Sequence, residues 1–589
     1  MRSVLVLAVA AQCLPAQSTE DVRKALRHAL PVLERSAAEF IAQRSCVSCH
    51  HNILPILMLH MARERGMEID GRVLAAVEDK TFRALRSPTA LDDAIQAVAL
   101  NDPTPNDSFL LMAAGAAGVE PGLVPAAYAR RLLGWQRDGH WVTSDFRPPH
   151  SSSVFTATAT AIRAIGLYLP EELRAQREAC FGRAREWLLA TAPESIEDGS
   201  FRVLGLVWAG ASASEIETAA KDLLAAQLPG GGWPELRGYP ADAYSTGEAL
   251  FALHQAGFAA ASRPWRQGLH FLLSTQTADG SWRIRTRMVS PAQVSPPYFS
   301  TGFPYGTDEY ISYAGSCWAV MALLSAIPER PREPAKADAH GAPSWIRTAL
   351  FGTPQQLSAL LDSGLDPNSR TDGGTTILMM AAPDPEKVRL LLKQGADVKA
   401  RASSGTDALT IAAAYRGSAR TLGLLLEAGA EVRAPAGVRP RNSPLLFASM
   451  NGDMENIKLL LARGADPSAA ALSSAVTFGY LDVVRTLIAA GASVRGTEAS
   501  GINLLHWAVI ADRPAVIPAL IAAGVPLNAT DQDGYTPLMY AASIDFGNTR
   551  SLDALLRAGA DPAIRNNDGR TPREQARHYG HTALEAALR

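Results

Sequence analysis

The chain has 589 residues, of which 47% are apolar and 19% charged, and its formal net charge is −2. The length exceeds one ordinary domain, and the composition excludes a disordered or fibrous chain. Near-neutral charge gives no basis for nucleic acid or an anionic membrane as partner, and beyond the first twenty residues no apolar run could span a bilayer as an anchor.

The chain opens on MRSVLVLAVAAQCLPAQ, with Arg2 as a basic start, an apolar run over 4–11, and small residues at Ala11 and Ala16. This predicts a secretory signal peptide over 1–16 and a periplasmic or extracellular destination in a bacterium. Cys13 leaves with that peptide, so Cys46, Cys49, Cys180 and Cys317 remain.

A helical segment over 17–70 follows, and it carries RSCVSCHHNILP: Cys46, Cys49 and His50 in the order C-x-x-C-H. In an exported chain this is the spacing for haem c. Both thiols add to the haem vinyl groups, and the adjacent histidine ligates the iron. Met58, His60, Met61 and Met112 are the candidates for the second axial ligand. Two alternatives stay open. One is a zinc site on Cys46, Cys49, and His50 or His51 with His60; the other is a cofactor-free Cys46–Cys49 disulfide at a helix start.

Over 71–326, RQGLHFLLSTQTADGSW sets a small residue, an apolar pair, Gln276, Gly280 and Trp282 in one run. Looser copies end at Trp141 and Trp233, and a degenerate one ends at Phe201. These tryptophans are expected to pack rather than react. The segments SVFTATATAIRAIGLYL, STGEALFALHQAG and ISYAGSCWAVMALLSAI are apolar nearly all round, which predicts helices of an inner layer. The pattern resembles the QW motif of the squalene–hopene cyclases. The resemblance implies the α/α toroid that they share with protein prenyltransferase β-subunits: inner helices around a cavity and outer helices around those.

The chemistry of those families does not carry over. No Asp-x-Asp-Asp acid occurs, and in PADAYSTGE alanines 241 and 243 stand where the prenyltransferase zinc ligands would be. Whether the toroid is an enzyme stays open, with Asp242, Asp308 and Glu309 as catalytic candidates. Arg283, Arg285 and Arg287 alternate at period two, which predicts an extended strand with one cationic face. Such a face could hold an isoprenoid diphosphate or another anion. Alternatively the arginines pair with Asp308, Glu309 or Glu248, and Asp308 and Glu309 cap the next helix.

A proline-rich and charged linker is expected over 327–344. Beyond it, glycines at 364, 395, 429, 464, 491, 524 and 559 recur at spacings of 31, 34, 35, 27, 33 and 35 residues. Each follows a leucine-rich helix, as a left-handed C-terminal glycine does, and Thr536-Pro537 and Thr571-Pro572 mark helix starts. The region 345–589 resembles an array of about seven ankyrin repeats, one with a truncated finger near 464–480. His506 takes the place of the family's turn histidine. The resemblance implies an α-solenoid that binds an unidentified protein partner.

The fold class expected is all-α, a toroid followed by a solenoid. The function expected is an exported c-type haem protein with a ligand-binding toroid and a protein-binding array. An enzyme of the toroid cavity and a cofactor-free interaction protein are the alternatives.

Overall fold

A computed structural model describes residues 18–97, 102–145, 147–150, 152–258, 260–288, 301–329, 344–433, 443–495 and 500–589. The signal peptide expected over 1–16 and nearly all of the linker expected over 327–344 lie outside these residues. The described chain is almost wholly helical; its one small sheet pairs Trp233–Pro234 with Ala241–Asp242.

The part before residue 330 begins with α1 (Thr19–Gln43), α2 (Leu54–Glu64), α3 (Gly71–Thr81), α4 (Arg83–Arg86), α5 (Ala90–Gln96), α6 (Pro103–Ala116) and α7 (Leu123–Leu133). It continues with α8 (Val154–Tyr168), α9 (Arg174–Ala190), α10 (Ile196–Trp208), α11 (Ala213–Ala225), α12 (Ala243–Gln255), α13 (Arg263–Thr275) and α14 (Glu309–Ser325). Helices α2, α6, α8, α10, α12 and α14 each pack on the next, and α14 packs back on α2, so six helices close a ring. Outside it, α7 bridges α6 and α8, α9 bridges α8 and α10, and α13 bridges α12 and α14, while α1 lies against α14 and α2. Every residue of α14 is buried, as an apolar helix flanked on all sides must be.

Three of the tryptophan turns repeat one arrangement. The indoles of Trp141, Trp233 and Trp282 are buried and donate to the carbonyls of Leu132, Leu223 and Leu272 at 2.7, 2.8 and 2.9 Å. Their backbone N–H groups donate to Thr158, Thr246 and Ser316 on the following inner helix. Each motif glutamine closes its own turn and also reaches a neighbouring outer helix or its start. Gln136 donates to Cys180 O at 2.9 Å, Gln227 to Pro264 O at 2.8 Å, and Gln276 to Ala25 O at 3.0 Å. The last of these joins the final outer helix to the first. The motif glycines have positive φ, and a side chain at Gly139, Gly231 or Gly280 would overlap the carbonyl of Arg183, Gln267 or His28.

Two expectations change here. The degenerate copy ending at Phe201 forms no turn, because its Glu197–Phe201 stretch lies inside α10. The segment expected over 17–70 is not separate: its described residues, from 18 on, supply the ring's first helix pair, α1 and α2.

Beyond residue 343 eight helix pairs stack in succession among the described residues, one more pair than the glycine spacing counts. All seven recurring glycines have φ between 86° and 101°. Thr536 and Thr571 accept from the N–H of Met539 and Glu574 as helix caps. The short interval keeps both helices, Ala469–Phe478 and Leu481–Ala489, and shortens the finger instead. His506 is buried and spans repeats, with Nε2 at 3.0 Å from Tyr535 O.

The array and the ring share one buried apolar cluster. Backbone and side-chain bonds stitch the turns between the paired helices of successive repeats to the ring: Arg130 to Met380 O at 2.9 Å, Arg416 N–H to Gly134 O at 3.1 Å, and Arg137 to Asp482 at 3.3 Å. Arg137 also lies over the Tyr480 ring.

The glycine geometry predicts a graded response. Gly257 has φ +82° and open space around it, so Gly257→Ala should cost only the conformational penalty, about 1 kcal/mol. Gly280→Ala adds an overlap with α1 backbone and should cost at least about 2 kcal/mol more. Equal losses in thermal unfolding of the two variants would show that close approach at ring closure is not what the glycine provides.

Candidate functional site

The inner helices run parallel: residues at their N-terminal ends touch one another, and residues of their C-terminal halves line a common cavity. Cys46, Cys49 and His50 lie at the N-terminal end. After α1, Ser48 accepts from the His51 N–H at 3.0 Å and starts a π-helical turn, Cys49–Ile53, that runs into α2. Cys46 is exposed and Cys49 half-buried, and no disulfide joins them. His50 and His51 are buried. Cys46, Cys49, His50, Phe109, Tyr128 and Arg147 face a cavity of about 650 Å³, a size typical of a small-molecule or cofactor site.

Hydrogen bonding assigns the His50 proton. Burial pushes the His51 imidazole down to about 3 and lowers His50 well below the ordinary histidine value, so both rings are neutral with one N–H and one lone pair each. The assignment starts at Glu309, which accepts from the Thr301 hydroxyl. Thr301 must therefore accept from Ser36, at 2.7 Å, and Ser36 from His51 Nε2, at 3.3 Å. That leaves the lone pair of His51 on Nδ1, where it meets His50 Nδ1. His50 thus carries its proton on Nδ1 and its lone pair on Nε2, the tautomer that a metal-ligating imidazole with a hydrogen-bonded back side adopts. Stacking of His51 between Phe40 and Tyr313, at 4.8 and 3.9 Å, holds the relay in place. Glu309 is the acceptor that ends this relay, and burial raises its pKa.

The ligand candidates read from sequence go elsewhere. His60, Met61 and Met112 line a second cavity, of about 250 Å³, toward the C-terminal ends of the inner helices. His60 bonds Glu78 there, and Met58 is fully buried. Among the described residues no three histidine, cysteine or acidic side chains converge as a metal site, so the zinc alternative finds no ligand set with His60.

The three arginines also miss both of these cavities. Residues 281–286 form no strand, but exposure alternates along them, with Arg283 and Arg285 exposed and Ile284 and Thr286 buried. Arg283 pairs with Asp308 at 3.0 Å, and the same carboxylate accepts from Thr286 N–H at 2.9 Å. Arg285 donates to Tyr579 O in the last repeat. Arg287 is buried, pairs with Glu235 at 3.3 Å and donates to Asp545 O at 3.1 Å. Met288 bridges to Ile544. The pattern read as an anion site is the seam between ring and repeats. Asp242 caps α12 by accepting from Ser245 N–H at 2.8 Å, and burial pushes it up to about 6.

Sequence reading missed a second cluster at this end. His150, Glu197, Glu235, Tyr244 and Glu248 are all buried. The Tyr244 hydroxyl donates to Glu197 at 3.0 Å, and Thr156 also donates to that carboxylate. Neither Glu248 carboxyl oxygen has a hydrogen bond of ordinary geometry, although Tyr244 is close enough to favour its charged form. Burial, reinforced by mutual repulsion, pushes Glu197 and Glu235 up to about 8 and Glu248 well above the usual carboxyl value. The available signal was faint: polar residues at the starts of apolar helices, which also read as caps.

These groups keep protons in the folded chain that the unfolded chain releases between about pH 4.5 and 8. Folded stability should therefore fall as pH rises through that window. Glu248→Gln removes one carboxyl and its repulsion. In urea titrations at pH 5 and pH 8 it should lose less stability than the parent chain, by about 1 kcal/mol or more. An identical loss in both would refute the assignment.

Family models for ankyrin repeats match residues 345–436, 472–567 and 505–588, and a single-repeat model matches 441–472. The chain is 31% identical over 162 residues to the ankyrin repeat and KH domain-containing protein mask-1 of Caenorhabditis elegans, across 27% of this chain and 6% of that protein. It is 35% identical over 113 residues to a putative ankyrin repeat-containing protein of Treponema pallidum, across 19% of this chain and 37% of that one. The human ASB11 ankyrin repeat domain aligns at 25% identity and a TM-score of 0.34, over 38% of this chain and all of that domain. The chain thus spans well under half the length of these curated relatives. Residues 345–588 of this chain are ankyrin repeats.

Proposed function

We propose that the chain is an exported c-type haem protein in which the helical ring, an α/α toroid, holds the haem and the ankyrin array binds a protein partner. The observation that carries this reading is C-x-x-C-H at the edge of the 650 Å³ cavity, with the proton of His50 assigned to Nδ1. Cys46 and Cys49 would hold the haem covalently, and His50 Nε2 would bind its iron. Bound there, haem supplies one-electron chemistry.

The chain's own residues do the rest. Phe109 and Tyr128 give the cavity apolar walls, and Arg147, paired with Asp145 at 3.7 Å, lines it as well. The relay from His50 to Glu309 fixes the ring plane and raises the basicity of Nε2. The toroid reading is supported by the closed succession of inner helices and by the Gln276–Ala25 bond that joins the last outer helix to the first.

Ankyrin repeats support protein–protein interaction. In this chain the turns between paired helices are committed to the ring, whereas finger residues such as Lys399 and Asp568 are exposed. A partner would meet the finger side. No described helix is long and apolar enough to cross a membrane.

Protein produced in a host with cytochrome c maturation should show a Soret band and sharp reduced α and β bands that survive denaturation. Cys46→Ala combined with Cys49→Ala should lose the covalent haem entirely. A colourless parent chain in that host would reject the reading.

A further inference from the structure

A haem held by His50 has a second axial position, and the methionines and the histidine nearest in sequence lie elsewhere. His150 stands in the turn just before α8. It is 3% exposed, and its ring centre is 6.4 Å from that of His50, with the planes at 70°. Its other close rings are Phe109 at 6.0 Å and Tyr244 at 6.2 Å.

His150 Nδ1 lies 3.1 Å from the Tyr244 hydroxyl, which also reaches Glu197 at 3.0 Å. Its Nε2 is buried and has no hydrogen-bond partner. An unpartnered polar atom in a buried site is costly, and a neutral imidazole nitrogen is a common metal ligand. A metal at Nε2 would leave the ring proton on Nδ1, facing Tyr244.

The spacing suits that partner. Metal–imidazole bonds are about 2 Å long, so two imidazoles on opposite sides of one metal ion have ring centres about 6 Å apart. A bare ion would need further protein donors, and among the described residues no group of three converges. A porphyrin supplies four nitrogens of its own and needs only two from the protein.

We propose that His150 Nε2 is the second axial ligand of the haem, opposite His50, with Tyr244, at 3.1 Å from its Nδ1, as the positioning residue. The assignment rests on the haem reading above and names the one ligand that reading leaves open. The two histidines are 100 residues apart in sequence, and the ring brings them together.

The test uses the full chain matured with haem. The parent protein should be six-coordinate and low-spin by absorption and electron paramagnetic resonance, with no sulfur-to-iron band, and slow to take up carbon monoxide when reduced. His150→Ala should keep its haem, as measured by pyridine haemochrome, and become high-spin. It should bind carbon monoxide within mixing time and return to low spin when free imidazole is added. Tyr244→Phe should keep the histidine ligand but shift the reduction potential, whereas a purely structural tyrosine would leave the potential unmoved. Met112→Ala and His60→Ala should change nothing.

A His150→Ala protein that holds haem and stays low-spin would overturn the assignment while sparing the haem reading. A parent protein without covalent haem would overturn both. If His150→Ala does not accumulate, His150→Met decides the matter: a sulfur-to-iron band supports the ligand position, and an unaltered parent spectrum refutes it.

Discussion

Closure of the helical ring is the constraint on which the rest depends. An open stack of helix pairs would leave α1 and α14 as exposed ends, each with an apolar face in water. Here Gln276 donates to Ala25 O, and Gly280 lets the last turn approach His28 without a side chain between them. One such hydrogen bond contributes about 1 kcal/mol, so the bond itself is not the main stabiliser. Its role is registry. It fixes which part of α1 faces α14, and so places Ser36 beside Thr301 across 265 residues of sequence. The relay from Glu309 to His50 exists only because the ring closes in that register.

The same closure explains which features could be read from sequence. Glycine spacing marked the ankyrin repeats because each needs a left-handed residue at the end of a helix, a local demand. The tryptophan turns were legible for the same reason: glutamine, glycine and tryptophan serve one turn within a few residues. C-x-x-C-H is local as well. His150 was not legible, because nothing within ten residues of it distinguishes a ligand from a turn histidine. Its meaning comes from Tyr244, Glu197 and His50, which four different helix starts bring together. The arginines were legible as a pattern but not in their purpose. Period two matches the alternation of exposed Arg283 and Arg285 with buried Ile284 and Thr286, but Arg287 is buried, and the carbonyls that accept from Arg285 and Arg287 belong to repeats more than 250 residues away.

Burial of carboxyl groups at this end of the ring runs against ordinary packing economy. A lone buried carboxylate is strongly disfavoured, and burial holds Glu248 well above the usual carboxyl value. Glu197 and Glu309 each stand at the end of a hydrogen-bonded chain that passes through a hydroxyl to an imidazole. The two chains use different hydroxyls, Tyr244 in one and Ser36 with Thr301 in the other, and they differ in length. In the longer one the Thr301 proton goes to Glu309, which leaves the His50 proton on Nδ1. Packing alone has no use for such chains, since apolar residues would fill these positions at lower cost.

That contrast also separates a haem pocket from a bare-metal one. Zinc sites collect three or four protein donors within about 2.3 Å of the ion, and the chain must bend to deliver them. Among the described residues the ring brings His50 and His150 together without a third converging donor, and it keeps its thiols at the cavity edge, one exposed and one half-buried. Thiols so placed are poorly situated to coordinate the ion that His50 and His150 would share, but well situated to bond the periphery of a planar group lying between those rings. The ankyrin array then completes the enclosure from outside. Its inter-helix turns grip the same end of the ring through Arg130, Arg137 and Arg287.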